Sequence, residues 1–375
     1  MKHFIVKTVL FVLPFACLIL WVESGLRSAT TQKFTKTKIS YKVKKEYTEE
    51  NKDSLQLIVL GSSHALYGVN PDLLSLKSVN LAHRIQDPYY DVNVANYYLE
   101  KLPKLEKVLI SVFFYNWGSE ILLTEPARIN IYNLYYNIPR EDKVYSVIDA
   151  PIFEANLALK TGNKDFSSIG RPVLKPRLAV EKKYWSEPFS INEFLHLHEY
   201  SQIIALGARY KYTFEARKQL AEFNSVGMSP SGWWSAGSYT REPNWKHAAV
   251  GAAEQSKLFS EKVLVKNINY LEGFIQHLLD KGIEPILFQV PVEPRFWKEI
   301  FPEIRSVYSK RVNRLVAKNG LRYFDHSQDS CFTSKDYKAP FADHLNSSGA
   351  NKFTKLLNAE INKKDEINIR KSLCH

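Results

Sequence analysis

The stretch Leu55-Gln-Leu-Ile-Val-Leu60-Gly61-Ser62-Ser63 decides the fold. Its apolar residues run without alternation and stop at a glycine, which is typical of a strand buried on both faces of a parallel sheet. Gly61 allows the backbone to turn tightly, so the two serines follow at the carboxyl end of the strand. Open α/β sheets place their sites along this edge. We therefore expect a serine hydroxyl at the functional edge of a parallel sheet.

Similar short apolar runs recur along the chain and alternate with amphipathic patterns. Further strands are predicted at 78–82, 108–114, 285–290 and 321–324. Helices are predicted at 91–101, 258–281, 295–319 and 347–362. Strand–helix alternation of this kind indicates a doubly wound α/β fold. The domain is expected to span residues 55–375.

The middle of the chain, residues 129–251, breaks this rhythm. It is rich in Tyr, Trp, Pro and Gly and shows no clear alternation of strands and helices. We expect a large aromatic-rich insertion or cap beside the carboxyl edge of the sheet. A separate small domain is the alternative. The chain returns to the alternating pattern on both sides, which favours an insertion.

Composition limits the class of protein. The 375 residues include 45% hydrophobic residues, enough for a substantial core, and carry a formal net charge of +12. The basic residues are scattered along the chain, with no zinc-finger or RNA-recognition pattern. A basic surface facing an anionic membrane or polymer is therefore favoured, and no nucleic-acid partner is expected.

Residues 1–27 are predicted to be an N-terminal membrane anchor. Residues 4–22 are almost all apolar, long enough to cross a hydrocarbon core of roughly 30 Å as a helix. A cleaved signal peptide is the alternative, but no clean small-x-small site follows the apolar run. Basic residues flank both ends, so the positive-inside rule leaves the orientation open. Residues 28–54, rich in Lys, Thr and Glu, are expected to form a solvated stalk.

Three cysteines are too few for a disulfide scaffold. Cys17 lies inside the apolar N-terminal stretch. Cys331 and Cys374 could pair if the domain lies in an oxidising compartment, or remain two unrelated free thiols.

A second segment that could supply catalytic side chains is Phe341-Ala-Asp-His-Leu-Asn-Ser-Ser-Gly-Ala350, which precedes an amphipathic helix. Asn346 or Ser347 can cap that helix, whereas capping does not explain His344. Its loop could return to the edge of the sheet that carries the serines. A serine hydroxyl is a weak nucleophile and needs such a neighbouring base.

Together these two segments resemble the SGNH (GDSL-like) hydrolase superfamily. The similarity is strongest to membrane-anchored members that act on bacterial cell-envelope polymers, such as alginate acetylation proteins and the D-alanyl-lipoteichoic acid protein D. It covers most of residues 55–130 and 255–360 in the order of elements. It implies a flavodoxin-like three-layer fold, Ser63 as nucleophile, His344 as general base, Asp343 as orienting acid and no cofactor.

The chain departs from the family pattern at the acid. The superfamily usually places the acid two or three residues before the histidine, and Asp343 is adjacent to His344. Adjacent side chains of an extended strand point in opposite directions, so Asp343 can orient His344 only in a turn. Asp325, at the end of the last predicted strand, is a second candidate, and a Ser–His dyad is a third arrangement.

The oxyanion-stabilising positions also match the family only in part. The second block usually provides a glycine N–H, and the segment that begins at Asn80 contains no glycine. By resemblance, Asn80 and Asn116 are candidates for binding the oxyanion or substrate. Asn116 could equally be a turn-forming residue before Gly118. His64 could contact substrate or serve packing.

Two further patterns have competing interpretations. His196 and His198 lack a third ligand at a defined spacing and would diverge on a helix, so no metal site is expected. The segment Gly232-Trp233-Trp234, with Tyr239 and Trp245, could stack on sugar rings, although packing inside the cap is favoured.

The sequence thus predicts a Ser–His acyl esterase or O-acyltransferase, anchored in the bacterial cytoplasmic membrane with its domain outside the cytoplasm. The expected partner molecules are an acylated or acceptor envelope polysaccharide and, by resemblance, a multi-span membrane protein that donates the acyl group. The alternative is a catalytically inactive envelope assembly or glycan-binding protein with the same fold.

Overall fold

The computed structural model describes residues 13–14, 40–120, 132, 135–138, 228–235, 245–338, 343–363 and 366–374. The chain divides into two compact units, one formed by residues 1–39 and 163–227 and the other by residues 40–162 and 228–375. Apart from residues 13–14, every described residue belongs to the second unit. The architecture below is that of this unit.

A parallel five-stranded sheet forms its centre, with the strand order β2-β1-β3-β4-β5. The strands are β1 (Leu57–Leu60), β2 (Ser78–Asn80), β3 (Lys107–Ser111), β4 (Glu284–Gln289) and β5 (Arg322–Asp325). In register, Ile58 of β1 lies opposite Val79 of β2 and Val108 of β3. The five predicted strands and the α/β class are confirmed.

Several helices whose bounds lie within the described residues accompany the sheet. They are α1 (residues 40–50), α2 (Ser63–Gly68), α3 (Pro88–Leu99), α4 (Phe114–Gly118), α5 (Trp245–Lys257), α6 (Glu261–Asp280), α7 (Pro294–Glu299), α8 (Pro302–Asn319), α9 (Ser347–Ile361) and α10 (Glu366–Cys374). Short 3-10 turns lie at Pro71–Leu73 and Ser334–Asp336.

Both faces of the sheet are buried. Leu57, Val59 and Phe288 join a core cluster that includes Phe353 and Leu356 of α9. The alternate strand residues, such as Ile58 and Leu60, are also fully buried. Helices α3 and α6 pack against each other, and α6 contacts β4. Continuous burial explains why the strands are apolar throughout rather than alternating.

Part of the predicted solvated stalk is instead a packed helix, α1. Tyr41, Lys44 and Thr48 lie on one side of this helix and are fully buried, so residues 40–50 pack on the domain instead of being solvated. The ring of Tyr41 stacks on His83 with centroids 3.5 Å apart, and Lys44 Nζ donates to the carbonyl of Ala82. Residues 28–39 of the predicted stalk lie outside the described residues.

Part of the predicted insertion lies against the edge of the sheet. Residues 228–235 pack beside β2, where Asn80 N–H donates to Ser231 O over 2.8 Å. Gly232 follows with a φ of +93°, and a Cβ at this position would lie 2.3 Å from Asn80 O. Only glycine fits this close approach. Helix α5 begins within the predicted insertion, whose residues 139–227 lie outside the described residues.

The predicted helix 295–319 is two helices. Glu293 caps α7 by accepting from the N–H groups of Arg295 and Phe296, and α7 ends at Glu299. Pro302 then occupies the first turn of α8. Proline is tolerated there because its missing N–H would have no partner inside the helix. A continuous helix through this position was therefore a wrong prediction.

The N-terminal end of the chain is the predicted membrane anchor. The predicted membrane anchor lies outside the described residues except for positions 13–14. Among the helices described, none is long and apolar enough to cross a membrane.

At the C-terminal end, a disulfide bond joins Cys331 to Cys374, with the Cα atoms 4.8 Å apart, and attaches α10 to the domain.

Candidate functional site

The site begins where β1 turns into α2. Gly61 has a φ of +131°, and a Cβ there would lie 2.5 Å from Cβ of Ser111. Its N–H donates to Oδ1 of the buried Asp91 over 2.7 Å. Burial raises the pKa of Asp91 to about 8. This turn makes Ser63 the first residue of α2, at the carboxyl edge of the sheet.

The loop before α9 forms the other half of the site. Tyr337 and Leu345 form an antiparallel bridge, and Lys338 N–H donates to His344 O over 2.8 Å. Asn346 caps α9 by accepting from Gly349 N–H over 3.0 Å. Capping and bridge together fix the backbone that carries His344.

Ser63, His344 and Asp343 form a continuous hydrogen-bonded chain. His344 Nε2 lies 2.8 Å from Ser63 Oγ, and His344 Nδ1 lies 2.6 Å from Asp343 Oδ1. Residues 343 and 344 lie in a bend, which brings both side chains to the same side of the backbone. Such an arrangement can take a proton from the serine and stabilise the imidazolium that results.

Asp343 is held in its ionised form. Burial alone would raise its pKa, but the charge and hydrogen bond of His344, with a smaller contribution from Gln255, hold the pKa well below its usual range. Gln255 Nε2 donates to Asp343 Oδ2 over 3.0 Å. Gln255 lies on α5, and sequence reasoning missed it because no motif connects this helix to the histidine loop.

Asp325, the second candidate for the acid, lies elsewhere. Its side chain is exposed and accepts from Ser327 N–H over 2.9 Å. Within the described part of the chain it makes no hydrogen bond to His344. The structure therefore places Asp343, and not Asp325, beside the histidine.

His64 lies behind His344 and is only 3% exposed. Its ring stacks on the His344 ring, with centroids 4.5 Å apart and planes 16° apart. Burial and the nearby charge of His344 lower the pKa of His64 to about 3, so the ring is neutral. A direct contact with substrate, one of the two expected roles, does not suit so buried a side chain.

Asn80 does not have a free donor for an oxyanion. An amide side chain has two N–H groups, and those of Asn80 donate to Ala65 O and Val69 O, each over 2.9 Å. Its carbonyl oxygen accepts from Ala82 N–H over 3.0 Å. Asn80 therefore ties α2 to β2, and the expectation of an oxyanion role is corrected.

Backbone donors of the segment after Asn80 are also engaged. Leu81 N–H donates to Val59 O, and His83 N–H donates to Gly61 O. These bonds fasten the segment beneath the turn at Gly61. With Ala82 N–H donating to Asn80 Oδ1, the three N–H groups of residues 81–83 are all bonded within the domain.

Asn116 lies in α4 and is 1% exposed. Its Nδ2 lies 3.5 Å from Gln86 O, and its Oδ1 has no hydrogen-bond partner within the described residues. The amide thus retains unused hydrogen-bonding capacity at the carboxyl end of β3.

Aromatic residues border the histidine. Tyr67 contacts the His344 ring edge-to-face at 5.3 Å and lies 6.0 Å from the Trp234 ring. Trp233 Nε1 donates to Tyr67 O over 2.9 Å. Both tryptophans are half-buried, so they pack on α2 and keep part of their surface exposed. Tyr239, His196 and His198 lie outside the described residues, as does the side chain of Trp245.

One group of metal-type ligands occurs in the described part of the chain. Ligand atoms of His64, Asp343 and His344 lie within 4.8 Å of one another. A histidine lone pair lies in the plane of its ring, and the two rings are stacked nearly parallel. No single ion can lie in both planes. The same atoms of His344 are already bonded to Ser63 and Asp343, so the geometry suits proton transfer better than metal binding.

Comparison with known proteins gives no match to the chain among models of protein families, curated proteins or solved structures.

Proposed function

We propose that this protein is an acyl-transfer enzyme of the SGNH type, with a flavodoxin-like three-layer domain. The observation that carries the proposal is the chain of hydrogen bonds from Ser63 through His344 to Asp343. The strand order and the position of Ser63 at the carboxyl end of β1 agree with this assignment.

In the proposed reaction, Ser63 Oγ attacks the carbonyl carbon of an ester while His344 Nε2 takes the serine proton. The tetrahedral intermediate collapses, His344 returns the proton to the departing alcohol, and the acyl group remains on Ser63. A second nucleophile then attacks the acyl-serine carbonyl and gives its proton to His344. The bond between the carbonyl carbon and Ser63 Oγ breaks, and His344 returns the proton to Ser63. Water makes the protein an esterase, and a sugar hydroxyl makes it an O-acyltransferase.

Candidate donors for the oxyanion are backbone N–H groups near Ser63 and the side chain of Asn116. The first N–H groups of a helix have no acceptor within the helix, and Ser63 begins α2. Ser62, the preceding residue, makes no side-chain capping bond to them. Asn116 Nδ2 carries two N–H groups and makes one long contact among the described residues, 3.5 Å to Gln86 O, so its second N–H is the candidate donor.

The proposed location is outside the cytoplasm of a bacterium, held at the inner membrane by residues 1–27. The disulfide between Cys331 and Cys374 supports an oxidising compartment, where such bonds persist. The net charge of +12 suits an anionic surface or polymer. The proposed substrate is an acylated or acceptor envelope polysaccharide, and the proposed partner is a multi-span membrane protein that supplies the acyl group.

A serine-directed fluorophosphonate tests the proposal on the full chain. We expect the parent protein to be labelled, with the label mapped by mass spectrometry to Ser63. Ser63→Ala should abolish labelling, whereas Ser62→Ala should retain it. A folded parent protein that does not react would overturn the proposal.

A non-catalytic envelope assembly or glycan-binding role is the second candidate. One observation favours it: the backbone N–H groups of Leu81, Ala82 and His83 are all bonded internally and cannot bind an oxyanion. Failure of the labelling experiment, together with binding of an envelope glycan, would establish this alternative.

A further inference from the structure

His64 has no part in the proton relay, yet among the described residues its ring is the one that stacks on the ring of His344. Its ring lies between two others. On one side the Phe113 ring lies 3.7 Å away between centroids, tilted by 33°, and on the other the His344 ring lies 4.5 Å away, tilted by 16°. A buried flat ring between two flat rings leaves little freedom to rotate.

Hydrogen bonding contributes little to the placement of His64. Its Nδ1 lies 3.5 Å from Ser62 Oγ, at the long limit of a hydrogen bond, and its Nε2 makes no hydrogen bond of normal geometry among the residues described. An interaction with the Asp343 backbone is only a minor influence on the pKa of His64. The ring contacts on its two faces are therefore the main constraint on the ring.

His344 needs a fixed ring plane because its ring makes two hydrogen bonds at the same time. Its two nitrogens bond in opposite directions, to Ser63 Oγ and to Asp343 Oδ1. Rotation of the imidazole out of this plane would weaken both bonds together. Within the described part of the chain, the other ring contact of His344 is with Tyr67, edge-to-face at 5.3 Å, which does not cover the face of the imidazole.

The ring beneath His344 must also be uncharged. During the proposed reaction His344 carries a proton and a positive charge, and a second charge stacked 4.5 Å away would oppose this step. His64 meets the requirement because burial keeps its ring neutral.

We propose that His64 is a positioning residue whose flat ring, packed between Phe113 and His344, fixes the plane in which His344 bridges Ser63 and Asp343. This inference rests on the proposed acyl-transfer function. The requirement is for a flat and neutral side chain, and not for an imidazole nitrogen.

Two apolar substitutions in the full chain test this requirement. His64→Phe keeps a flat neutral ring, and His64→Leu is apolar but not flat. We expect the Leu variant to lose on the order of 100-fold in the rate of fluorophosphonate labelling at Ser63. With a soluble acyl ester, kcat should fall and KM should stay unchanged. The Phe variant should react at close to the parent rate.

The proton between His344 and Asp343 provides a readout that does not depend on activity. In a short charge-assisted hydrogen bond this proton gives a strongly deshielded resonance in proton NMR. We expect it in the parent protein and in His64→Phe, and expect it broadened or lost in His64→Leu. His277→Leu, which alters an exposed histidine on α6, is the control and should retain it.

A folded His64→Leu variant with parental labelling and the parental resonance would overturn the inference. A folded His64→Phe variant that is labelled on the order of 100-fold more slowly than the parent would also overturn it. This comparison uses only the parent and the Phe variant, so it remains decisive if the Leu variant does not fold. If the parent itself does not label, the proposed function fails. The resonance in the two variants still decides whether His64 positions His344.

Discussion

Asp343 and His344 are neighbours in the chain, and their side chains are hydrogen-bonded to each other over 2.6 Å. In extended backbone successive side chains point to opposite faces. Here the bend at residues 343–344 turns both side chains toward the same side, and the bridge between Tyr337 and Leu345 holds that bend at its base. The proposed acid and the proposed base therefore lie on one short loop.

Replacing Asp343 by asparagine should lower kcat on the order of 10³- to 10⁴-fold, because the amide no longer holds His344 in the required tautomer or stabilises its charged form. Esterase kinetics with a soluble acyl ester measure this loss. Asp325→Asn is the matched control and should retain parental kcat, since Asp325 is exposed and its hydrogen bonds to Ser327 and Tyr323 lie away from His344. Equal losses in the two variants would contradict the assignment of the acid.

Gln255→Leu should reduce kcat/KM by about tenfold, because one hydrogen bond to a buried carboxylate is worth roughly 1–3 kcal/mol. Loss of that bond also raises the pKa of Asp343 toward its ordinary value. The control is Gln276→Leu, which removes an exposed Gln–Asp bond on α6 and should change nothing. An unchanged kcat/KM in Gln255→Leu would show that the bond does not matter for the reaction.

Gly61→Ala should destabilise the turn before Ser63 by roughly 1–3 kcal/mol through the backbone conformation alone. The clash with Ser111 Cβ at 2.5 Å adds to this cost. Adding Ser111→Gly should restore part of the stability, because it removes the clash but leaves the φ of +131° unfavourable. Urea unfolding of the three proteins measures both components. Full recovery in the double variant would mean that the backbone conformation is not strained for alanine.

His326 should make stability depend on alkaline pH. Burial opposes its charge, but hydrogen bonds to Asp329 and Glu360 outweigh burial and raise the pKa of His326 from 6.5 to about 9. The remaining charged group at this cluster is Arg370, which pairs with both carboxylates. A raised pKa stabilises the folded protein below pH 6.5, and this contribution is lost as the pH rises through about 9.

The free energy of unfolding should therefore fall by roughly 2–3 kcal/mol between neutral pH and about pH 10. Urea unfolding across this range measures the change, and His326→Gln should flatten it. His277→Gln should leave the pH dependence as in the parent, since His277 is exposed. A parental slope in His326→Gln would assign the effect to another group.

The Cys331–Cys374 bond closes a sequence separation of 43 residues. A crosslink over a loop of this length stabilises by about 4 kcal/mol in the chain-entropy model, and measured losses are commonly smaller. The double variant Cys331→Ser/Cys374→Ser should therefore unfold at lower urea concentration. A reductant should weaken the parent to a similar degree and leave the double variant unaffected. Free thiols at both Cys331 and Cys374 in the oxidised parent, located by alkylation and peptide mass mapping, would contradict the bond.

Strands were the part of the fold that could be read most directly from the sequence. Each is short, apolar and buried on both faces, and this pattern does not depend on distant contacts. Helix α1 was hidden by its many charged residues, although Tyr41, Lys44 and Thr48 recur at helical spacing. The break between α7 and α8 follows from Pro302, whose effect the apolar pattern masked.

For the candidate site, the sequence brought Ser63 and His344 together through a resemblance, and the structure places them within hydrogen-bonding distance. It left the acid open because the conformation of a bend between adjacent residues is not encoded in their spacing. Gln255 and the buried position of His64 depend on packing between segments far apart in the chain. Local patterns carry no information about such contacts.

The closure of β2 by residues 228–235 has a consequence for biosynthesis. β2 is an outer strand, and an uncovered outer strand is a template for pairing with other chains. The carbonyl of Ser231 that meets Asn80 N–H is supplied about 150 residues later, so the nascent chain displays this strand long before its cover emerges. Slow synthesis or truncation before Ser231 would therefore leave β2 uncovered, and intermolecular pairing along β2 is the form of aggregation we expect.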